Sequence, residues 1–352
     1  MPFPRASGLA RTLIPLSLGV ALMALLSGCA ANVPHTTVMP KTEAAEEIQS
    51  LYVLIFWLAV VVFIGVQGGL IYVLWRFRAR PGHELPEQTH GNTTLEIGWT
   101  IAPAVILVIM AVPTIRTIFL LESPPPALAA GLPVLNVEVT GKQWWWEFKY
   151  PDIHLPNGEP LTTANELVIP TGQTVYLHIA SDNVIHSFWV QQLMGKIDAM
   201  PNHENKIWFT ATDPGQYFGQ CAEYCGVQHA QMRMNVIAMT PADYQAWVAR
   251  SSQPAAPETD IAREGAEAFT ANGCAGCHTI DGNPTAIGKV GPNLSHFGSR
   301  TTLAAGILQN TPEELQRWLE DPQAVKPGNF MPNLRLRPRD VEALVAYLHS
   351  LK

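Results

Sequence analysis

Residues 221–232 read CAEYCGVQHAQM, which places Cys221, Cys225, His229 and Met232 in one short stretch. Thiolate and thioether are soft donors that suit copper, and imidazole suits it equally. A mononuclear blue-copper site takes one Cys, two His and a weak axial Met. This stretch holds one thiol more than that and one imidazole fewer. HSFWV at 186–190 supplies a second imidazole, His186. Two thiols, two imidazoles and a thioether exceed the needs of one copper and suit two coppers bridged by two sulfurs. Two other fates stay open for the same residues. A Cys2His2 set binds structural zinc, which leaves Met232 and the intervening Glu223 without a role. Alternatively, Cys221 and Cys225 form a disulfide in an oxidising compartment.

The surroundings of this stretch read as β-structure. VLNVEVTG (134–141), LVIPTGQTVYLHIA (167–180), KIWFTATDPGQYFG (206–219) and MRMNVIAM (232–239) are short alternating runs separated by turn residues. Strands at this spacing predict a β-sandwich or barrel, here assigned to 132–245. Met234 and Met239 belong to a strand in this reading. A small-residue, Pro-rich linker follows, SSQPAAP at 251–257, within a boundary segment at 251–260. Helical periodicity returns over 261–352, with Thr311 as an N-cap ahead of Pro312, Glu313 and Glu314. Residues 132–250 carry six Lys and Arg against eleven Asp and Glu, and 261–352 carries nine of each. An acidic β-domain excludes nucleic acid as the natural partner and favours a basic protein.

Upstream of the β-region the chain is apolar. Leu51–Trp75 carries no charge, nor does Ile97–Ile115. Both are long enough to cross a hydrocarbon core of about 30 Å. They predict a two-helix transmembrane hairpin at 45–122, with helices near 51–75 and 97–121. Pro103 and Pro113 are tolerated in a membrane helix that packs against neighbours. Arg76, Arg78 and Arg80 place the connecting loop in the cytoplasm by the positive-inside rule, so everything after Leu121 lies outside. Arg5 and Arg11 precede an apolar run from Leu13 to Leu26, the pattern of a signal peptide over 1–28.

With five cysteines in 352 residues, at 29, 221, 225, 274 and 277, a disulfide scaffold is excluded. Residues 274–278 read CAGCH. Two thiols at this spacing add across the vinyl groups of a haem, and the adjacent His becomes an axial ligand. Met331 is the only Met after Met239 and is the candidate second axial ligand, ahead of His296 and His349, the latter read as a surface residue. A redox CxxC or half of a zinc site is the competing reading of Cys274 and Cys277.

These motifs carry resemblances. HSFWV with the downstream C-x-E-x-C-G-x-x-H-x-x-M resembles the CuA domain of cytochrome c oxidase subunit II, a cupredoxin barrel on a membrane hairpin. The resemblance implies Cys221 and Cys225 as bridging thiolates of a dinuclear copper centre, with His186 and His229 as terminal ligands. It implies Met232 as ligand to one copper and the Glu223 carbonyl as ligand to the other. The Glu223 side chain is implied in a magnesium site shared with subunit I. GKQWWWEFKYPD (141–152) resembles the family's aromatic stretch, in which Trp144 is implied as the residue where electrons enter. LEIGWTIAPAVILVIMAVPTIR resembles its second helix, with Glu96 at the mouth of a proton pathway. Where the family reads D-A-[IM]-P-G-R, this chain has Asp198-Ala199-Met200-Pro201-Asn202-His203, so the resemblance does not carry over the family's Arg contact towards subunit I.

Residues 261–352 resemble class I cytochrome c, which implies Cys274 and Cys277 as haem c attachment points with His278 and Met331 axial. Leu26-Ser27-Gly28-Cys29 resembles a lipobox, which implies a lipid on Cys29. Together they imply a multidomain membrane protein: transmembrane hairpin, all-β cupredoxin-like barrel, all-α cytochrome c domain. Its implied task is electron transfer in an aerobic haem–copper oxidase of the bacterial cell (inner) membrane. Electrons pass from an external cytochrome c or other donor through haem c and copper to subunit I, with subunit III as a further partner. A CuA-containing nitric oxide reductase subunit is the alternative with the same parts. A quinol oxidase subunit lacks the copper ligands, and a copper-delivery lipoprotein leaves the haem motif and the hairpin unexplained.

Overall fold

A computed structural model of the chain describes residues 33, 35–78, 82, 88, 90–257 and 259–352. The expected signal peptide, Cys29 and Arg80 lie outside these residues. Helix α1 spans Glu43–Arg76 and α2 spans Thr93–Glu122. Both begin earlier than the charge-free runs suggest, because polar residues cap them. The Thr42 side chain accepts from the Ala45 amide, and Asn92 accepts from Thr94 and Leu95. At 1.5 Å per residue the 34 and 30 residues measure about 50 and 45 Å, enough to cross a membrane with polar ends to spare. Their apolar side chains are almost wholly exposed. The hairpin is tied to the next module by Thr42 Oγ1 donating to the Leu193 carbonyl at 2.5 Å and by Trp208 Nε1 donating to the Ser123 carbonyl at 2.8 Å.

That module is a two-sheet β-structure. One sheet has the order β3-β2-β1-β5-β8, the other β4-β10-β9-β6-β7. Strand limits are β1 Leu135–Lys142, β2 Trp145–His154, β3 Pro160–Ala164, β4 Glu166–Pro170 and β5 Thr174–Ser181. They continue as β6 His186–Trp189, β7 Ile197–Ala199, β8 Asn205–Thr210, β9 Gly215–Cys221 and β10 Arg233–Met239. The alternation read from the sequence is visible in β1, whose Leu135, Val137, Val139 and Gly141 point inward. They meet a core containing Trp146, Phe148, Tyr150 and Phe188, each worth about 1.5–3 kcal/mol on burial. The Tyr150 hydroxyl is satisfied there by donating to the Val168 carbonyl and accepting from the Val168 amide. Helix α3, Pro241–Ser251, adds Tyr244 and Trp247 to the same core, so the packed chain runs past the boundary at 245 expected from sequence.

The C-terminal module is helical: α4 Asp260–Ala271, α5 Pro312–Glu320 and α6 Pro338–Ser350, with a short β11–β12 ladder at Thr302–Leu303 and Leu308–Gln309. Thr311 caps α5 as expected. His349, expected at the surface, is half-buried with its ring against Phe297. The linker does not leave the two soluble modules free. They share buried contacts, among them Arg233 N–H to the Ala305 carbonyl at 3.1 Å and Lys326 Nζ to the Gln231 carbonyl at 3.1 Å.

Candidate metal and haem centres

β9 ends on Cys221, and the loop after it turns back so that its donors converge. Cys221 Sγ and Cys225 Sγ stand 3.8 Å apart and unbonded, which removes the disulfide reading. His186, the first residue of β6, places Nδ1 3.9 Å from Cys221 Sγ. His229 places Nδ1 3.7 Å from Cys225 Sγ. Met232 Sδ lies 3.9 Å from Cys225 Sγ, and the Glu223 carbonyl 3.3 Å from Cys221 Sγ. Two imidazoles, two sulfurs, a thioether and a carbonyl therefore surround one small volume. A tetrahedral zinc uses only four of these donors, whereas the softness of the set fits copper. His186 and Met232 are fully buried and both cysteines nearly so, while the Glu223 side chain is exposed. The contact between the two sulfurs holds the Cys221 thiol far below its usual range, and the same contact together with burial pushes Cys225 up.

Several supports of the site lie outside the ligand motifs. Asn183 Oδ1 lies 3.1 Å from His186 Nε2, which leaves Nδ1 free to face the sulfur. Gln143 Nε2 and Trp144 Nε1 both donate to the Cys225 carbonyl, at 2.8 and 3.0 Å. Gly226 adopts φ 114°, and a Cβ there would lie 3.1 Å from the Trp144 ring, so the loop reverses under the indole only with glycine. Asn202 stands at φ 59° where the resembled family has Gly, a conformation Asn tolerates.

The second centre is a cavity of about 240 Å³ in the helical module, lined mainly by apolar side chains including Phe269, Leu294, Trp318 and Leu344. Cys274, Cys277, His278 and Met331 all line it, whereas His296 and His349 do not. His278 Nδ1 donates to the Pro292 carbonyl at 2.7 Å, which leaves Nε2 as the free acceptor. Burial lowers the imidazole's pKa and favours the neutral ligand form, although the bond to Pro292 acts in the opposite direction. The Met331 loop is held by its own amide donating to Asn329 Oδ1 and by Gln323 Nε2 donating to the Met331 carbonyl. Both thiols are unpaired, so the residues fit a covalently attached haem.

The cavity wall is shared between modules, because Gln143, Trp144, Trp145 and Asn165 of the β-module also line it. Phe330, next to Met331, places its ring 4.8 Å from the Trp144 ring. Trp144 is only 8% exposed. Glu96 sits in the first turn of α2 with an exposed side chain, and among the described residues no hydrogen bond or ion pair joins it to either centre.

Comparison with known proteins matches each module to a family. Residues 135–239 match the family profile described as cytochrome c oxidase subunit II, periplasmic domain, and residues 38–117 match its transmembrane domain. Residues 262–352 match cytochrome c. The protein named cytochrome c oxidase subunit 2 from Alkalihalophilus pseudofirmus is 39% identical over 342 residues, covering 96% of each chain. Proteins of the same name from Bacillus subtilis and Bacillus sp. strain PS3 are 35% and 37% identical, each covering 93% of this chain and 94% of theirs.

Proposed function

This chain belongs to the cytochrome c oxidase subunit II family, in a form that carries a C-terminal cytochrome c module, and from that premise we propose how its residues conduct electrons. It is a membrane protein and the electron-transfer subunit of a haem–copper oxidase, works in a complex with subunit I, and carries copper and haem. The oxygen-reducing site is on subunit I.

The copper site in this proposal is a dinuclear CuA centre. Cys221 and Cys225 would hold it as shared thiolates, with His186, His229, Met232 and the Glu223 carbonyl as its further ligands. Cys274 and Cys277 attach haem c, with His278 and Met331 as axial ligands. Bound there, the two cofactors supply one-electron carriers, and a thioether opposite imidazole favours a high haem potential. The chain's own residues supply the connection. From Met331 it runs to the adjacent Phe330, across the ring contact to Trp144, and along the indole N–H to the carbonyl of the ligand Cys225. That contact is the observation on which the proposal rests. Trp144 is thus where electrons enter the copper site, with the chain's own haem as their source. Tethering and docking replace a diffusional encounter with a fixed one.

The Glu223 side chain joins a magnesium site at the boundary with subunit I, and Glu96 stands at the mouth of a proton path. Both soluble modules lie on the outer face of a bacterial cell membrane crossed by α1 and α2, and a lipid sits on Cys29. An external cytochrome c or other donor feeds the haem, and subunit III completes the complex.

Optical and EPR spectra of the purified complex test the cofactor assignment. One electron shared by two copper nuclei, alongside a low-spin His/Met haem, is expected. A mononuclear copper signal, or zinc without a chromophore, overturns it.

A further inference from the structure

Glu166 opens β4 on the copper module and is buried at 5% exposure, yet among the described residues it forms no ion pair. The buried Arg300 guanidinium of the haem module lies within electrostatic reach of Glu166 without pairing directly, and a buried carboxylate is costly unless hydrogen bonds compensate it. Here all the compensation comes from the haem module. Glu166 Oε1 accepts from the Thr301 and Thr302 amides, both at 2.9 Å, and from their hydroxyls at 2.6 and 3.1 Å. Two successive amides and two hydroxyls aimed at one anion form a nest, and bonds to an ionised acceptor are the strong kind.

The hydroxyls are themselves oriented by the copper module. Gln216 Nε2 donates to Thr301 Oγ1 at 3.3 Å, and Asn235 Nδ2 donates to Thr302 Oγ1 at 3.2 Å. Each hydroxyl therefore uses both its donor and its acceptor capacity across the interface. The nest itself lies beside the haem cavity, and the residues on either side of Thr301 and Thr302 form part of its wall. Arg300, Leu303, Ala304 and Ala305 line it, in the segment that Glu166 grips. Gln228 and Lys326 add bonds near the Met331 loop, to the Pro327 and Gln231 carbonyls respectively.

We propose that Glu166 is a positioning residue: it locks the 300–305 wall of the haem cavity onto the copper module and so holds Phe330 against Trp144. This rests on the electron route of the preceding section. It makes the two soluble modules one rigid two-centre unit, with the chain's own haem as the obligatory feeder of the copper.

The test uses the whole oxidase complex carrying Glu166→Ala, Glu166→Gln or Thr302→Val. Three readouts are taken: amide exchange at Thr301, Thr302 and Arg233, the spectra of both centres, and haem-to-copper transfer after flash reduction of the haem. In Glu166→Ala, protection of those three amides falls about ten- to a hundredfold, as expected when buried donors lose their acceptor. Amides inside β1 and the spectra of both centres stay as in the wild type. Transfer gains a slow phase that lengthens with added viscogen. Glu166→Gln, which keeps an oxygen acceptor, retains most of the protection and the single fast phase.

Should Glu166→Ala fail to assemble, Thr302→Val carries the test from the other module, with weaker protection at Thr301 and Arg233 and the same slow phase. Wild-type protection and kinetics in the alanine or the valine variant overturn the positioning role alone. Absence of haem-to-copper transfer in the wild-type complex overturns the electron route, and the positioning role with it.

Discussion

Replacing Gly141 with alanine should disable the copper site while leaving the β-module folded. Gly141 lies in β1, and a Cβ there would stand 2.8 Å from His186 Cδ2, 3.1 Å from His186 Cγ and 3.2 Å from Trp146 Cζ3. Carbon atoms sit comfortably at about 3.5–4.0 Å, so the imidazole must retreat by about 0.7 Å. Metal–ligand distances tolerate about 0.2 Å. The ring has nowhere else to hold its place, since it is fully buried, packs on Trp146 and is tied through Nε2 to Asn183. Overpacking costs about 1–3 kcal/mol, partly offset by about 0.5–1 kcal/mol from the stiffer unfolded chain. Thermal unfolding should therefore show a loss below about 2.5 kcal/mol. Copper affinity should fall by about ten- to a hundredfold, the scale seen when a ligand loses its orientation. Copper titration followed by EPR measures this. Gly215→Ala is the control, because its Cβ would meet only the Tyr217 ring at 3.9 Å. Wild-type copper affinity and spectrum in Gly141→Ala would refute the placement of His186 in the copper site.

Asn183→Ala removes the partner of His186 Nε2, and a copper titration should show affinity lower by about ten- to a hundredfold with the fold intact. Phe330→Ala removes the ring that covers Trp144. Being largely exposed, it should alter unfolding by less than about 1 kcal/mol and leave both spectra unchanged, while flash-induced transfer from haem to copper slows. Burial against Phe297 lowers the His349 pKa from 6.5, so the unfolded chain takes up the proton more readily than the folded one. Stability of the haem module should therefore be unaffected by this group above pH 6.5 and fall as pH drops from there through the lowered folded value. His349→Gln should flatten that part of the profile of melting temperature against pH, and an unchanged slope would count against it.

The residues that carry chemistry were legible because their chemistry fixes their spacing. CAEYCGVQHAQM gathers four donors on one loop, and CAGCH gathers three on another, so neither needed a tertiary structure to be noticed. The membrane helices were legible through the absence of charge, but not their ends, which depend on the caps at Thr42 and Asn92. Helix α3 had its signal, Thr240 followed by Pro241, yet its reason to exist is the burial of Tyr244 and Trp247 in a core made elsewhere. Long-range supports were not legible at all. Gly141 matters because a strand pairing sets it against His186, and Glu166 because its nest is 135 residues away. The docking of the two soluble modules has no sequence signature. A Pro-rich linker reads as a tether whether or not the modules beyond it adhere.

The most direct test of the route is kinetic order in the unmodified complex. Oxidised complex is mixed with a reduced external donor in a stopped-flow instrument, and haem and copper absorbance are followed together. Because Trp144 lies under Phe330, the haem should be reduced first, and copper reduction should then follow at the rate at which the haem gives up its electron. Copper reduced ahead of the haem, or at a rate that ignores the haem's redox state, would contradict the account.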